Sequence, residues 1–393
     1  MYFMHIALNF RIKLPQFTGP LKENDLLAKT EHLFKGEIRG PESIAYHNGD
    51  LYSALADGRI IRIKDKKFTV VADISEGQCE GLWQQMKCGR GLGLKFDKKG
   101  LLYVVDAYFG LKRVDIPGGK GAVTTIFSTK TKVDGKAPLF LDDVAVLEGA
   151  GSKGGNVYFL SDASMKWPVE DVIYSFVEHE KSGRIIRYDE DANKATVAAG
   201  GLGFPNGLEL NDAKDALLIC EFTTRRILKL HLKGSKAGTV EPILENLPGE
   251  PDNIRRSSDP KKETYWVAIA MARNASNPDI LDILSNKPFL RKAAFRLIHA
   301  VGSSLQYLGN LSEYIPLKEI GYKVKSGELL FSFLKHRGLL IEIDAKGTIL
   351  RALHSPDGRT TVSSEAREVV EGNKKVLYIG SYFNDYIGRV AIN

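Results

Sequence analysis

Four short segments of this chain set oxygen-bearing side chains at the start of apolar runs. They are Gly40-Pro41-Glu42-Ser43, Leu141-Asp142-Asp143-Val144, Phe204-Pro205-Asn206-Gly207 and Glu250-Pro251-Asp252-Asn253-Ile254. Carboxylate and amide oxygens are the donors that a hard cation such as calcium prefers. The segments lie roughly 45 to 100 residues apart, so no single loop or helix can gather them. They converge only if each opens the inner strand of a repeated sheet unit around one axis. Any one of them alone reads as an ordinary turn ahead of a strand. Four at corresponding places in separate units argue for a shared site.

Other chemistries leave no trace in the sequence. It holds no Gly-x-Ser-x-Gly elbow, phosphate-binding loop, dinucleotide fingerprint, Cys-x-x-Cys pair or zinc-type His/Cys cluster.

The elements that would position the four segments are short runs of Val, Ile, Leu, Tyr and Phe, punctuated by Gly, Asp, Asn or Pro, as in an all-β repeat fold. Asp57-Gly58-Arg59-Ile60-Ile61-Arg62-Ile63 is echoed by Ser182-Gly183-Arg184-Ile185-Ile186-Arg187-Tyr188, and four looser copies begin near Phe109, Arg226, Arg337 and Gly388. Six copies of a strand-turn-strand element, each with a strand before and after, describe a six-bladed β-propeller. The last blade, from about Glu365, runs out after three strands, and Glu31–Glu37 is the candidate for its fourth. Such closure would leave no open edge. The propeller is read over residues 28–393, with 1–27 as a separate N-terminal segment. Met1–Phe10 is apolar apart from His5 and Asn9, well short of the roughly 20 residues that span a bilayer.

A helical insertion interrupts the fifth blade at about residues 279–320. Pro288 can open a helix, and Leu290, Ala293, Ala294, Leu297, Ile298 and Val301 follow at spacings of three and four, with Arg291, Lys292, Arg296 and His299 mostly opposite. Two readings stand at this point: a cap packed across the propeller face, or a basic amphipathic helix (288–301) touching a membrane surface.

The formal charge of +7 is dispersed among acids, which argues against nucleic acid as a partner. Cys79 and Cys88 have a spacing that permits a disulfide, whereas Cys220 sits in an apolar run as a buried thiol. Sequons at Asn274-Ala275-Ser276 and Asn310-Leu311-Ser312 are candidate glycosylation sites. Together the cysteine pair and the sequons point to a luminal or extracellular compartment.

Several motifs occurring in one order carry a family resemblance: Cys88-Gly89-Arg90-Gly91-Leu92-Gly93, Asp106-Ala107-Tyr108-Phe109-Gly110-Leu111, Phe204-Pro205-Asn206-Gly207, Lys233-Gly234-Ser235-Lys236-Ala237-Gly238 and Pro251-Asp252-Asn253-Ile254-Arg255. From about residue 28 onward the chain resembles the strictosidine synthase-like family, in particular its animal branch. The resemblance implies a six-bladed propeller, N-terminally anchored glycoproteins with residues 1–27 as a remnant of the anchor region, a membrane-associated or secretory-pathway location in the ER lumen or at the cell surface, and a bridge between Cys79 and Cys88.

More distantly the chain is similar to paraoxonases and gluconolactonase-type propellers, whose central calcium is held by Glu, Asn and Asp. Carried over by motif, the ligands are Glu42, Asp142, Asn206, Asp252 and Asn253. Where those propellers read Phe-x-Asn-Asp, this chain has Phe140-Leu141-Asp142-Asp143, which keeps an oxygen donor and adds negative charge. Asp252 is the candidate catalytic base or nucleophile. The paraoxonase histidine pair is missing, its first position falling on Leu92. The strictosidine synthase glutamate falls on Arg367, or on Glu368 after a one-residue shift, so condensation of an amine with an aldehyde is not expected.

The resemblance therefore implies a calcium-dependent esterase of arylesterase or lactonase type acting on a small-molecule ester or lactone. The alternative is a non-catalytic, calcium-stapled surface glycoprotein that binds glycans or proteins.

Overall fold

The computed structural model, which describes residues 14–119, 121–331 and 337–392, contains six four-stranded antiparallel sheets. Their inner strands are Ile44–His47, Gly91–Phe96, Leu141–Leu147, Pro205–Leu210, Pro251–Arg256 and Glu365–Glu371, which open blades 1 to 6. Blade 6 is completed by Glu31–Leu33, which pairs antiparallel with Ile387–Ile392 and joins the two ends of the chain. The candidate closing segment Glu31–Glu37 thus supplies the strand with its first three residues. The apolar stretch Met1–Phe10 lies outside the described residues.

Second strands such as Leu102–Asp106, Val157–Asp162, Ala216–Glu221 and Thr264–Ile269 are buried along their whole length. A strand covered on both faces reads as a continuous apolar run instead of an alternating one. The core lies between neighbouring blades. Leu218 and Cys220 of blade 4 pack with Ile254, Tyr265 and Ile341 of blade 5, and Trp266 and Leu340 of blade 5 pack with Leu377 of blade 6. Residues ahead of the first strand also join the body. Leu27 is fully buried, and Asn24 Nδ2 donates to Ala352 O at 2.8 Å.

Two helical excursions leave the propeller. The insertion in blade 5 is longer than its sequence pattern suggests: Ile280–Ile283, Pro288–Leu311, Ile315–Lys325 and Glu328–Phe331 separate the second strand from Gly338–Asp344. The two longer helices form a hairpin with Gly302, Gly309 and Gly321 at the contact. A Cβ on Gly302 would lie 2.5 Å from Lys325 N, and one on Gly309 2.7 Å from Lys318 N. The second excursion, helix Val172–Glu178 in blade 3, was not read from the sequence. Its signal is there in Val169, Val172, Ile173, Phe176 and Val177, at helical spacing but over only seven helical residues. Phe295 of the hairpin packs against Ile173 and Tyr174 of this helix and seats one excursion on the other.

The packing of the long helix corrects one expectation. Arg291, assigned to the polar side, is buried and donates to Leu284 O and Ser285 O at 3.0 Å each. Leu290, Leu297 and Val301, which the cap reading would pack against the propeller, are exposed. The close glycine contact and the hold on Arg291 decide which face turns inward.

Candidate functional site

The tunnel-facing geometry comes from irregular pairing at the start of four inner strands. The register shifts between Gly91 and Leu94, Leu141 and Val144, Pro205 and Leu208, and Pro251 and Ile254. Each shift adds one residue to the inner strand, and a bulge of this kind re-aims the side chains at its extra residue. The affected pairs are Leu92-Gly93, Asp142-Asp143, Asn206-Gly207 and Asp252-Asn253. Glycine is required where neighbouring strands crowd at the axis: a Cβ on Gly207 would lie 2.5 Å from Asn253 Cα, and one on Gly93 would collide with the Asp143 carboxylate.

Glu42, Asp142, Asn206 and Asp252 from four blades line one cavity of about 90 Å³. Asn253 sits just behind it and donates from Nδ2 to Glu42 Oε1 at 2.6 Å. Glu42 Oε2, Asn206 Oδ1 and Asn253 Oδ1 are buried with no hydrogen-bond partner. Among the described residues, none of the three acids forms an ion pair with a basic side chain. Burial, then repulsion from Asp252 and Asp142, holds Glu42 well above the usual carboxylate range. Burial and neighbouring Asp143 push Asp142 up to about 8. Asp252 is raised by burial and by Asp142, with a hydrogen bond from Asn206 opposing. Glu250, in the same segment as Asp252, is taken by Arg273 and stands apart from this set.

Buried acids without a counter-ion and orphaned amide oxygens are the chemistry a divalent cation satisfies. Among the described residues, no three Asp, Glu, His or Cys side chains close to metal-ligand spacing. The acids surround the cavity, and holding an ion would need their side chains to draw inward, with the amide oxygens completing the shell.

Deeper in the tunnel the acids are paired. Arg255 Nη1 donates to Asp143 Oδ2 at 2.7 Å, its Nη2 to Ser43 Oγ at 3.1 Å, and its Nε lies 3.0 Å from Glu365 Oε2. Lys95 Nζ meets Glu209 Oε2 at 2.6 Å, and Arg367 Nε donates to Ile44 O at 3.0 Å. All six blades contribute to this lock. Burial alone would lower the basicity of Arg255, but Asp143 and Glu365 reverse that and hold it protonated. Sequence reasoning missed Lys95, Glu209 and Glu365, and gave Arg255 no role. Neither Arg367 nor Glu368 lines the cavity: Glu368 Oε2 accepts from Trp266 Nε1 at 2.7 Å.

The cavity walls are apolar. Phe140, Phe176, Phe204 and Phe222 surround the acids, and Phe176 stacks on Phe222 at 4.6 Å between centroids. Phe204 (φ 58°) and Val362 (φ 51°) both line the cavity in the left-handed region, which is unfavourable for bulky or β-branched residues. Leu92, the position of the absent histidine, is also part of the wall, and no histidine lines the cavity among the described residues.

Comparison with known proteins places this architecture. A strictosidine synthase family profile matches residues 150–235, and a strictosidine synthase-like N-terminal profile matches residues 19–63. The chain is 32% identical over 379 residues to adipocyte plasma membrane-associated protein of Bos taurus, covering 96% of this chain and 82% of that protein. The chain belongs to the adipocyte plasma membrane-associated protein family. In fold it is similar to a gluconolactonase from Xanthomonas campestris, with a TM-score of 0.55 and 12% identity over 98% of this chain and 97% of that one. It is also similar in fold to regucalcin, a calcium-binding protein from Agrobacterium tumefaciens, with a TM-score of 0.50 and 8% identity over 90% and 92% of the two chains.

This member of the adipocyte plasma membrane-associated protein family carries the expected Cys79–Cys88 disulfide, with Cα atoms 5.9 Å apart. Such a bond belongs to the oxidising conditions of the secretory pathway or cell surface. Cys220 is free and buried. Among the described residues, no helix is long and apolar enough to cross a membrane. Asn310 is exposed at the end of the long helix, and Asn274 is half-buried.

Proposed function

We propose that the chain is a calcium-dependent hydrolase of small apolar esters or lactones, of arylesterase or lactonase type. The observation that carries this reading is the set of buried, uncompensated acids Glu42, Asp142 and Asp252 at an apolar cavity, with orphaned Asn206 and Asn253 oxygens beside them. Glu42, Asp142, Asn206 and Asp252 would hold the ion, and Asn253 would orient Glu42. A bound calcium would polarise the substrate carbonyl and stabilise its developing negative charge.

The chain's own residues supply the rest. The phenylalanine walls take the apolar part of the ester and limit water. Asp252 accepts the proton of the attacking water as the water oxygen bonds to the carbonyl carbon, and it gives that proton to the departing alkoxide as the bond to it breaks, which restores its carboxylate. Without a cation, burial and Asp142 shift Asp252 towards its protonated, non-basic form. A bound cation would thus favour ionisation of the base as well as polarise the carbonyl.

One observation favours a second reading. With Leu92 in the wall and no histidine in the cavity among the described residues, the usual proton carrier is missing there, as it would be in a non-catalytic glycoprotein whose calcium only staples the blades. Membrane association, for which the bovine relative is named, fits either reading. Hydrolysis of phenyl acetate and of simple lactones, with calcium and with chelator, separates the two. Chelator-sensitive turnover that Asp252→Ala abolishes while the melting profile is retained supports the hydrolase. Absence of turnover, or equal turnover in parent and variant, leaves the stapled binding protein.

A further inference from the structure

Among the described residues, eleven of the twenty exposed large apolar side chains lie within residues 283–320, most of them on the helical hairpin. Phe289, Leu297, Leu308 and Leu311 are 73%, 66%, 51% and 67% exposed. At about 100° per residue these positions fall along one side of the long helix. The opposite side carries buried Arg291, Phe295, Gly302 and Gly309. Because those glycines sit against the backbone of the second helix, the long helix cannot roll to bury the exposed stripe without losing that contact. An apolar patch of this extent marks an interaction surface.

We propose that the hairpin docks on an anionic lipid surface, with its apolar stripe in the headgroup region and its cations against the lipid charges. Charge identifies the occupant. Residues 287–325 hold seven basic and two acidic side chains, and of the basic ones Arg291 is buried. Lys318 and Lys325 are engaged by Glu80 and Asp171 at 3.0 Å each, and Lys323 by Glu319 at 2.7 Å. Lys287 and Arg296 are exposed and Lys292 half-exposed around the stripe.

A two-fold contact between copies of the chain would set this cationic patch against its own image, whereas anionic headgroups neutralise it. The hairpin is too polar to cross a bilayer, so it lies in the interface plane. Asn310 falls about 110° from the centre of the stripe, on the flank with Lys292, so its sequon leaves the stripe clear.

Flotation of the full chain with phosphatidylcholine vesicles, with and without phosphatidylserine, tests this. Binding is expected with phosphatidylserine and should weaken as salt is raised. The variant Phe289→Ser/Leu297→Ser/Leu311→Ser, whose sites are all exposed, should melt like the parent and bind about tenfold or more weakly. Lys287→Glu/Lys292→Glu/Arg296→Glu should remove the preference for phosphatidylserine, an independent reading should the serine variant fold poorly. A parent that stays unbound at low salt, or a well-folded serine variant that binds as the parent does, overturns the proposal. A parent that sediments as a dimer, which the serine substitutions dissociate, assigns the stripe to a second copy instead. None of these outcomes depends on whether the tunnel hydrolyses esters.

Discussion

Asp142 and Asp143 are neighbours in the chain and both are buried, yet they meet opposite electrostatic conditions. Asp143 faces the deep tunnel, clamped by Arg255 and by the amide of Leu208 at 2.7 Å. Asp142 faces the cavity with Glu42 and Asp252 and forms no ion pair among the described residues, and the pull of Arg255 on it is outweighed by burial and Asp143. The deep half of the tunnel carries its counter-ions in the sequence, as Lys95, Arg255 and Arg367. The upper half has like charges and orphaned oxygens. A protein that can compensate buried acids with its own side chains, and does so one layer away, leaves the other layer uncompensated at a cost in stability. That cost is understandable where the missing charge comes from solution.

The largest expected effect tests the deep lock. Arg255→Met removes the cation shared by Asp143 and Glu365 and should destabilise the fold by about 3–5 kcal/mol, measured by denaturant unfolding. Asp252→Asn in chelator should be neutral or stabilising, because it removes repulsion from the upper layer. Equal losses in the two variants would erase the distinction between the layers.

Calcium addresses the upper layer alone. Added to chelated protein at about a hundred times its dissociation constant, it should stabilise the fold by about 2.7 kcal/mol. The increment should vanish in Asn206→Ala and persist in variants of Lys95. No calcium-dependent change in melting would remove the cation from the upper layer. A contrast between adjacent residues comes next in size. Asp143→Asn, which weakens charged hydrogen bonds to Arg255, should cost about 1.5–3 kcal/mol. Asp142→Asn should cost nothing in chelator and should lose the response to calcium. A costly Asp142→Asn in chelator would mean that a partner for Asp142 exists within the fold.

The propeller was legible because its signals are local. Apolar runs bounded by turns, with repeated Gly-Arg-Ile-Ile-type hairpins, mark strands in whatever order the blades assemble. The four segments were legible as a set because each opens a blade. Their division into two layers was not, since it depends on bulges that a residue pattern does not display. Arg255 stayed silent for a related reason: its partners Ser43, Asp143 and Glu365 come from three other blades, and no spacing in the chain joins them. The long helix showed its amphipathic period, but the side that packs was decided by Gly302, Gly309 and the buried guanidinium of Arg291, which a hydrophobic pattern ranks low.

The smallest expected effect is a pH slope that differs in sign between Asp142 of the upper layer and Glu209 of the deep one, although burial also raises Glu365 there. In cation-free protein, Asp142 is raised from 3.8 to about 8 by burial and Asp143, so the folded state keeps a proton that the unfolded chain releases. The stabilisation from that proton is complete below pH 3.8 and is lost as pH rises towards about 8. One such group contributes at most about 1.4 kcal/mol per pH unit within this window. In the deep layer, burial would raise Glu209, but Lys95, Arg367 and Arg255 overcome it and hold the carboxyl below its usual 4.5. Its contribution is complete above 4.5 and is lost as pH falls through the lowered value. In chelator, melting should therefore decline from about pH 5 towards pH 8. Asp142→Asn should reduce the slope, and saturating calcium should flatten it, because a bound cation lets the acids ionise in the folded state. Glu209→Gln should leave that neutral-range slope intact and alter only the acid limb. A chelated parent whose melting is level or rises over the neutral range would show that the upper acids are already compensated, and the contrast between the two layers would fail.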